Sequence, residues 1–127
     1  MVPKIKNTTQ RIKIVEFLKS VKTHPTAEDV YGNVKKELPG ISLGTVYRNL
    51  NLLADLEMIQ KLEINNEFHF DGDVQVHQHG VCDSCNKIFD IFQKNISDFA
   101  LSKVKTNEFI PKGVTVIFNG LCRNCSG

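Results

Sequence analysis

A chain of 127 residues with 41% hydrophobic content fits one ordinary domain or two small ones, and two units of about 60 residues would each have a marginal core. The net charge of +2 excludes any strong whole-chain electrostatic argument. No apolar run reaches the roughly 20 residues that cross a bilayer, and the amino terminus MVPKIKNTTQR lacks the apolar core of a signal peptide, so a cytoplasmic location is expected.

Charge is unevenly distributed. Residues 1–25 carry six bases (Lys4, Lys6, Arg11, Lys13, Lys19, Lys22) against one acid, Glu16, whereas residues 71–127 carry six of each. A basic amino-terminal arm and a neutral second half suggest that only the first half meets phosphate. The alternative is a solvated helix face.

The first helix is expected to start with Thr8 as N-cap and to present Ile14, Phe17, Leu18 and Val21 on one face. Thr23-His24-Pro25 should break it, because Pro25 disfavours helical geometry at the residue before it. Thr26 caps a second helix with Asp29 at its third position, an echo of a capping box. Ala27, Val30, Tyr31, Val34 and Leu38 form its apolar face, and Pro39-Gly40 ends it. Ser42 caps a third helix, 42–54, with Leu43, Val46, Leu50 and Leu53 inward and Thr45, Arg48, Asn49 and Leu52 largely outward. Tyr47 sits at the margin.

Strand-like runs at Gln60–Ile64 and Glu67–Phe70 flank Asn65-Asn66. Asn tolerates the positive φ of a tight hairpin turn. Three short helices and a hairpin predict a winged helix-turn-helix over residues 1–70, with the third helix as probe. Arg11, Thr45, Tyr47, Arg48 and Asn49 are the candidate DNA contacts. Residues 71–76 form the expected hinge to a second domain, 77–127. There, His77–Val81 and Lys87–Phe92 read as strands. Ile96, Phe99, Ala100 and Val104 mark a helix, and Val114, Val116 and Phe118 alternate on a last strand. The expected class is therefore α+β.

Cys82-x-x-Cys85 and Cys122-x-x-Cys125 place two sulfurs each on one side of a metal, and four thiolates select zinc. A closed site of this kind is structural, and it would complete a half too small to be stable alone. A redox-active Cys-x-x-Cys is the competing reading. The absence of an export signal favours thiolates over disulfides.

Around these cysteines lie harder ligands. His77 and His79, two residues apart, share one face of a strand. Asp90 shares its strand face with Ile88 and Phe92, where a carboxylate needs a partner. Asp71 sits in the expected hinge and His24 at the end of the first helix. These donors suit Fe(II) or Mn(II), though zinc would also bind. Helix capping by His24 and turn stabilisation by Asp71 are the plainer alternatives, and His69 could either join a metal site or belong only to the hairpin.

The chain resembles the ferric uptake regulator (Fur) superfamily over nearly its whole length. The resemblance is carried by His24-Pro-Thr-Ala-Glu-Asp-Val-Tyr31, Ser42-Leu-Gly-Thr-Val-Tyr-Arg-Asn-Leu50, Phe70-Asp71, His77-x-His79-x-x-Cys82-x-x-Cys85-x-Lys87-x-x-Asp90, and Cys122-x-x-Cys125. It is most similar to the peroxide regulator (PerR) branch. The resemblance implies a homodimeric, metal-dependent repressor acting on palindromic double-stranded operator DNA, with a carboxy-terminal dimerisation domain and no catalytic residues. It implies one structural Zn(II) per subunit at Cys82, Cys85, Cys122 and Cys125. It further implies one regulatory Fe(II) or Mn(II) per subunit at His24, Asp71, His77, His79 and Asp90, with His24 and His77 the residues oxidised by peroxide. Asp90 favours the peroxide branch, since iron-uptake regulators commonly carry Glu there.

The alternatives are an iron-responsive, or Mn- or Zn-responsive, uptake regulator, a metal-dependent hydrolase, and a zinc-stapled interaction module. No obvious Glu or His base stands beside His77-x-His79 to serve hydrolysis. The basic first helix and the Tyr47-Arg48 probe helix count against the interaction module.

Overall fold

The computed structural model describes residues 8–127. Lys4 and Lys6, the first two bases of the amino-terminal arm, lie outside the described residues. The chain divides into two compact units, the first ending at Val74 and the second running from Gln75 to Gly127.

The first unit is built from α1 (Thr9–Ser20), α2 (Ala27–Val34), α3 (Leu43–Asp55) and a hairpin of β1 (Gln60–Ile64) and β2 (Glu67–Asp71). Each helix starts at a hydroxyl cap whose oxygen accepts an otherwise orphaned backbone amide. Thr8 takes the amide of Arg11 at 3.2 Å, Thr26 that of Asp29 at 3.3 Å, and Ser42 that of Thr45 at 3.1 Å. The Asp29 carboxylate returns to the Thr26 amide at 3.1 Å, which closes a full capping box. α1 stops at Ser20, and α2 ends at Val34, before Pro39 is reached. A turn in which Leu38 donates to the Val34 carbonyl keeps Leu38 against the core.

Ile14, Leu18, Val30, Val46, Leu50, Leu53, Ile59 and Phe70 form a single buried cluster from all three helices and the hairpin. In the hairpin turn Asn65 and Asn66 both take left-handed φ (54° and 65°), which matches the right-handed twist of paired strands.

β2 continues one residue further than expected. Asp71 is its last residue, paired with Gln60, and is buried rather than part of a hinge. Gly72 packs against the end of α1. A Cβ there would lie 2.9 Å from the Leu18 carbonyl carbon and the Lys19 nitrogen. The hairpin therefore holds residues 71 and 72 that the sequence suggested were connecting chain.

The second unit has a three-stranded sheet of order β4-β3-β5, from β3 (Gln78–Cys82), β4 (Ile88–Ile91) and β5 (Ile117–Gly120), with α4 (Lys94–Lys103) and the short α5 (Arg123–Ser126). β3 runs antiparallel to β4 and parallel to β5. The expected strands shift by a residue at their ends, as termini commonly do. The last strand begins only at Ile117, leaving Val114 exposed before it.

The helix expected around Ile96–Val104 is present as α4. Its apolar stripe is exposed at Ile96 and Phe99, and its buried residue is Ser97. Val81, Cys82 and Ile88 are the buried hydrophobics of this unit among the described residues. A core of three side chains cannot offset the conformational entropy of some fifty ordered residues.

Candidate functional site

The β3–β4 hairpin explains why two kinds of ligand are interleaved here. Cys82 ends β3, and the loop to β4 is closed by the Cys82 amide on the Lys87 carbonyl at 3.0 Å and the Asn86 amide on the Cys82 carbonyl at 2.9 Å. Asn86 takes left-handed φ (63°) to make the turn. This register places Cys85 beside Cys82 and sets His79 directly opposite Asp90. β5, parallel to β3, ends at Gly120, whose carbonyl takes the Asp83 amide at 2.7 Å. The chain beyond it delivers Cys122 and Cys125 to the same place.

The four sulfurs lie within 4.8 Å of one another, with Cys85 and Cys122 3.9 Å apart. Tetrahedral zinc with bonds of about 2.3 Å requires sulfur–sulfur edges of about 3.8 Å, whereas a disulfide needs about 2.05 Å. The cluster fits a four-thiolate zinc site and not a pair of disulfides. Backbone amides prepare it electrostatically. Those of Cys122 (3.4 Å) and Cys85 (3.5 Å) donate to the Cys82 sulfur and lower its thiol from 9.0 to about 6. Hydrogen bonding to Cys122 pushes the Cys125 thiol up to about 12.

The expected regulatory ligands form a group in each unit. In the first, His24 and Asp71 are both buried, with Nε2 and Oδ2 3.3 Å apart. The second carboxylate oxygen, Oδ1, accepts the Asp73 amide at 2.9 Å, which fixes its orientation.

In the second unit, one oxygen of Asp90 faces Nε2 of His77 at 3.1 Å and Nε2 of His79 at 3.3 Å. His77 Nδ1 lies 2.6 Å from the Gln75 carbonyl. A carbonyl can only accept, so Nδ1 carries a proton and Nε2 is the atom presented to Asp90. Ligand histidines are oriented in this way, their other ring nitrogen donating to a carbonyl or carboxylate. A carboxylate oxygen between two imidazole Nε2 atoms calls for a cation, either a proton or a metal. The donor set fits a borderline-to-hard divalent ion. Phe92 stacks on His77 at 4.8 Å and covers it.

The candidate DNA contacts separate on inspection. Arg48 is exposed on α3 and donates to Thr45 Oγ1 at 3.1 Å. Tyr47 is 37% exposed and donates its hydroxyl to Glu28 at 3.0 Å. That hydrogen bond, with burial and the nearby carboxylates, raises its pKa. Arg11 is half-buried, its Nε donating to Asn49 Oδ1 at 3.0 Å.

Asn49, expected to face outward, is buried instead. Its amide also donates to the Thr45 carbonyl at 3.0 Å, so it ties α1 to α3. The helical wheel places it at the boundary of the two faces, and Arg11 draws it inward.

Two neighbours of the expected ligands make contacts that the sequence reading did not anticipate. His69 donates Nδ1–H to the His24 carbonyl at 2.7 Å. Gln78, fully buried between His77 and His79, donates to Ser97 Oγ at 2.8 Å and accepts the Gln93 amide at 2.9 Å. Strand alternation puts Gln78 on the face opposite the histidines, which was the available signal.

A model of the ferric uptake regulator family matches residues 3–119. The peroxide-responsive repressor PerR of Staphylococcus saprophyticus is 29% identical over 122 residues, spanning 95% of this chain and 82% of that protein. Among solved structures, the Campylobacter jejuni peroxide stress regulator superposes with a TM-score of 0.78 at 28% identity, covering 91% of this chain and 88% of that one. The Helicobacter pylori ferric uptake regulator, described as having three functional metal binding sites, superposes at 0.79 with 24% identity, covering 97% and 83%. That likeness concerns the fold alone.

Proposed function

The chain belongs to the ferric uptake regulator family, whose members are transcriptional regulators rather than enzymes, and from this premise we propose that it is a homodimeric, metal-dependent repressor that senses hydrogen peroxide. The observation that carries the reading is the meeting of His77 and His79 Nε2 at one Asp90 oxygen, 3.1 and 3.3 Å away. His24, Asp71, His77, His79 and Asp90 form the regulatory ligand set for Fe(II) or Mn(II). Cys82, Cys85, Cys122 and Cys125 hold the structural zinc.

The three helices and hairpin of the first unit serve as a winged helix, with α3 as the probe and Arg11, Thr45, Tyr47 and Arg48 at the duplex. Asn49 supports them from within. The second unit serves for dimerisation, with residues 73–76, the part of the expected hinge beyond Asp71 and Gly72, as the connecting segment. Its exposed Phe89, Phe92, Ile96, Phe99 and Phe118 support a second copy as the covering partner. Among the described residues no helix is long and apolar enough to cross a membrane, and a cytoplasmic site of action accords with the role.

Fe(II) held by these residues would activate the O–O bond of peroxide, and the two electrons that reduce it would come from the imidazole C–H that takes up the oxygen. The net change is insertion of one peroxide oxygen into an imidazole C–H, with water as the other product. His77 is held for this by its bond to Gln75, and Phe92 shields its face from bulk water. An oxidised imidazole at His24 or His77 binds metal poorly, so the ion leaves and the operator is released.

Two features favour peroxide over iron sensing. The residue at position 90 is Asp, and the chain is 28% identical to the Campylobacter jejuni peroxide stress regulator against 24% to the Helicobacter pylori ferric uptake regulator. The test loads the protein anaerobically with Fe(II) and adds stoichiometric peroxide. Peptides containing His24 or His77 should gain the mass of one oxygen, and operator binding should be lost. Unchanged peptides with retained operator binding would favour the iron-responsive reading.

A further inference from the structure

Three consecutive residues of β2 grip the His24–Pro25 segment, each in a different way. His69 donates Nδ1–H to the His24 carbonyl at 2.7 Å. Phe70 donates its backbone amide to the Pro25 carbonyl at 2.9 Å. Asp71 meets the His24 ring, Oδ2 to Nε2, at 3.3 Å. The segment needs such a grip because His24 has φ of 55°, in the left-handed region that a non-glycine residue rarely occupies. It also precedes a proline, which disfavours right-handed helical backbone there.

We propose that His69 is a positioning residue for the regulatory ion. It fixes the main chain of His24 in the left-handed conformation and so aims the His24 imidazole at Asp71. This rests on the reading of His24 and Asp71 as ligands. The Phe70 bond joins two backbone groups and would hold any residue that follows the same path, and Asp71 meets the His24 ring, but the bond to the His24 carbonyl comes from a side chain and is therefore specific to residue 69. The Nδ1 atom is engaged by the carbonyl. The other ring nitrogen, Nε2, lies 3.9 Å from the Glu67 carboxylate, on the hairpin. His69 thus acts on the ion through His24.

The test exploits imidazole geometry. Nδ1 is bonded to Cγ, and an asparagine amide nitrogen is bonded to the same position. A glutamine amide instead reaches the place of Nε2. Zinc-loaded, otherwise metal-free protein is titrated with Mn(II), followed by the electron paramagnetic resonance of the unbound ion. Losing an outer partner of a ligand typically costs about 10–100-fold in metal affinity. His69→Leu should therefore weaken Mn(II) at least about tenfold, His69→Asn should restore most of the loss, and His69→Gln should not. Zinc content should be the same in all three. Parent-like Mn(II) affinity in His69→Leu, or equal failure of the Asn and Gln variants, overturns the proposal.

Asp90→Ala separates the proposal from the underlying reading. If that variant also keeps full Mn(II) affinity, the ligand assignment itself is wrong. Long-range proton–nitrogen spectra of the Mn-free protein give a metal-independent readout. They should show His69 as the Nδ1–H tautomer, and the Nε2–H tautomer would overturn its role.

Discussion

The backbone amide of Cys122 points at the sulfur of Cys82 across 3.4 Å, although 40 residues separate the two in sequence. Together with the Cys85 amide it holds the Cys82 thiol near 6, well below the roughly 8.5 of an unfolded chain. A depressed thiol contributes stability that is full above the unfolded value and is lost as pH falls through the folded one. Zinc-loaded protein should therefore begin to lose its metal as pH falls through about 6, and Cys82→Ser should bind zinc more weakly at every pH. Zinc retention, followed by metal analysis after dialysis, should fall steeply below the same pH. Cys125, raised to about 12, remains a thiol at neutral pH until metal arrives, so zinc loading in weak buffer should release protons. Zinc retention that is flat through about pH 6 would contradict this account of the cluster.

Asp90 is the carboxylate shared by His77 and His79, whereas the Cys82 sulfur takes its hydrogen bonds from the Cys85 and Cys122 amides. Asp90→Ala should keep its zinc and its thermal midpoint within a few degrees. Mn(II) affinity should drop at least about tenfold, and metal-dependent binding to a labelled duplex should weaken in step. Loss of zinc from this variant would mean that the two sites are one.

Gly72 is needed for space. A methyl group there would meet the backbone of Leu18 and Lys19 at 2.9 Å, where neither side can yield as a flexible side chain would. Gly72→Ala should cost about 1–3 kcal/mol, read as a lower urea midpoint with an unchanged slope. Parent-like stability would show that the end of α1 gives way.

Asn49 and Arg48 are neighbours with opposite expected phenotypes. Asn49 is buried and makes two hydrogen bonds, so Asn49→Ala should lose about 1–3 kcal/mol of stability. Arg48 is exposed, so Arg48→Ala should leave stability within about 0.5 kcal/mol. It should weaken duplex binding and make the slope of log affinity against log salt shallower by about one. The reverse pattern would exchange their roles.

Much of the first unit was legible because its signals are local. Thr8, Thr26 and Ser42 are caps that can be read from a few residues, and Asn65-Asn66 announces its turn. The cysteine cluster was legible because two Cys-x-x-Cys pairs admit few other uses. What escaped depends on contacts distant in sequence. Asn49 turns inward because of Arg11, 38 positions away, and His69 reaches a carbonyl 45 positions away. What covers the apolar stripe of α4 was not legible for a different reason. Periodicity identifies an apolar stripe but does not say whether the chain itself or another molecule covers it.

His24 occupies backbone territory that suits glycine better than histidine, at a cost of about 1–2 kcal/mol. A campaign to make this protein more heat-resistant would be drawn to that position and to residues that relax it. Each such change would remove an imidazole or its aim. The sturdier protein would then be deaf to its signal, so durability and responsiveness are traded against each other at a single φ angle.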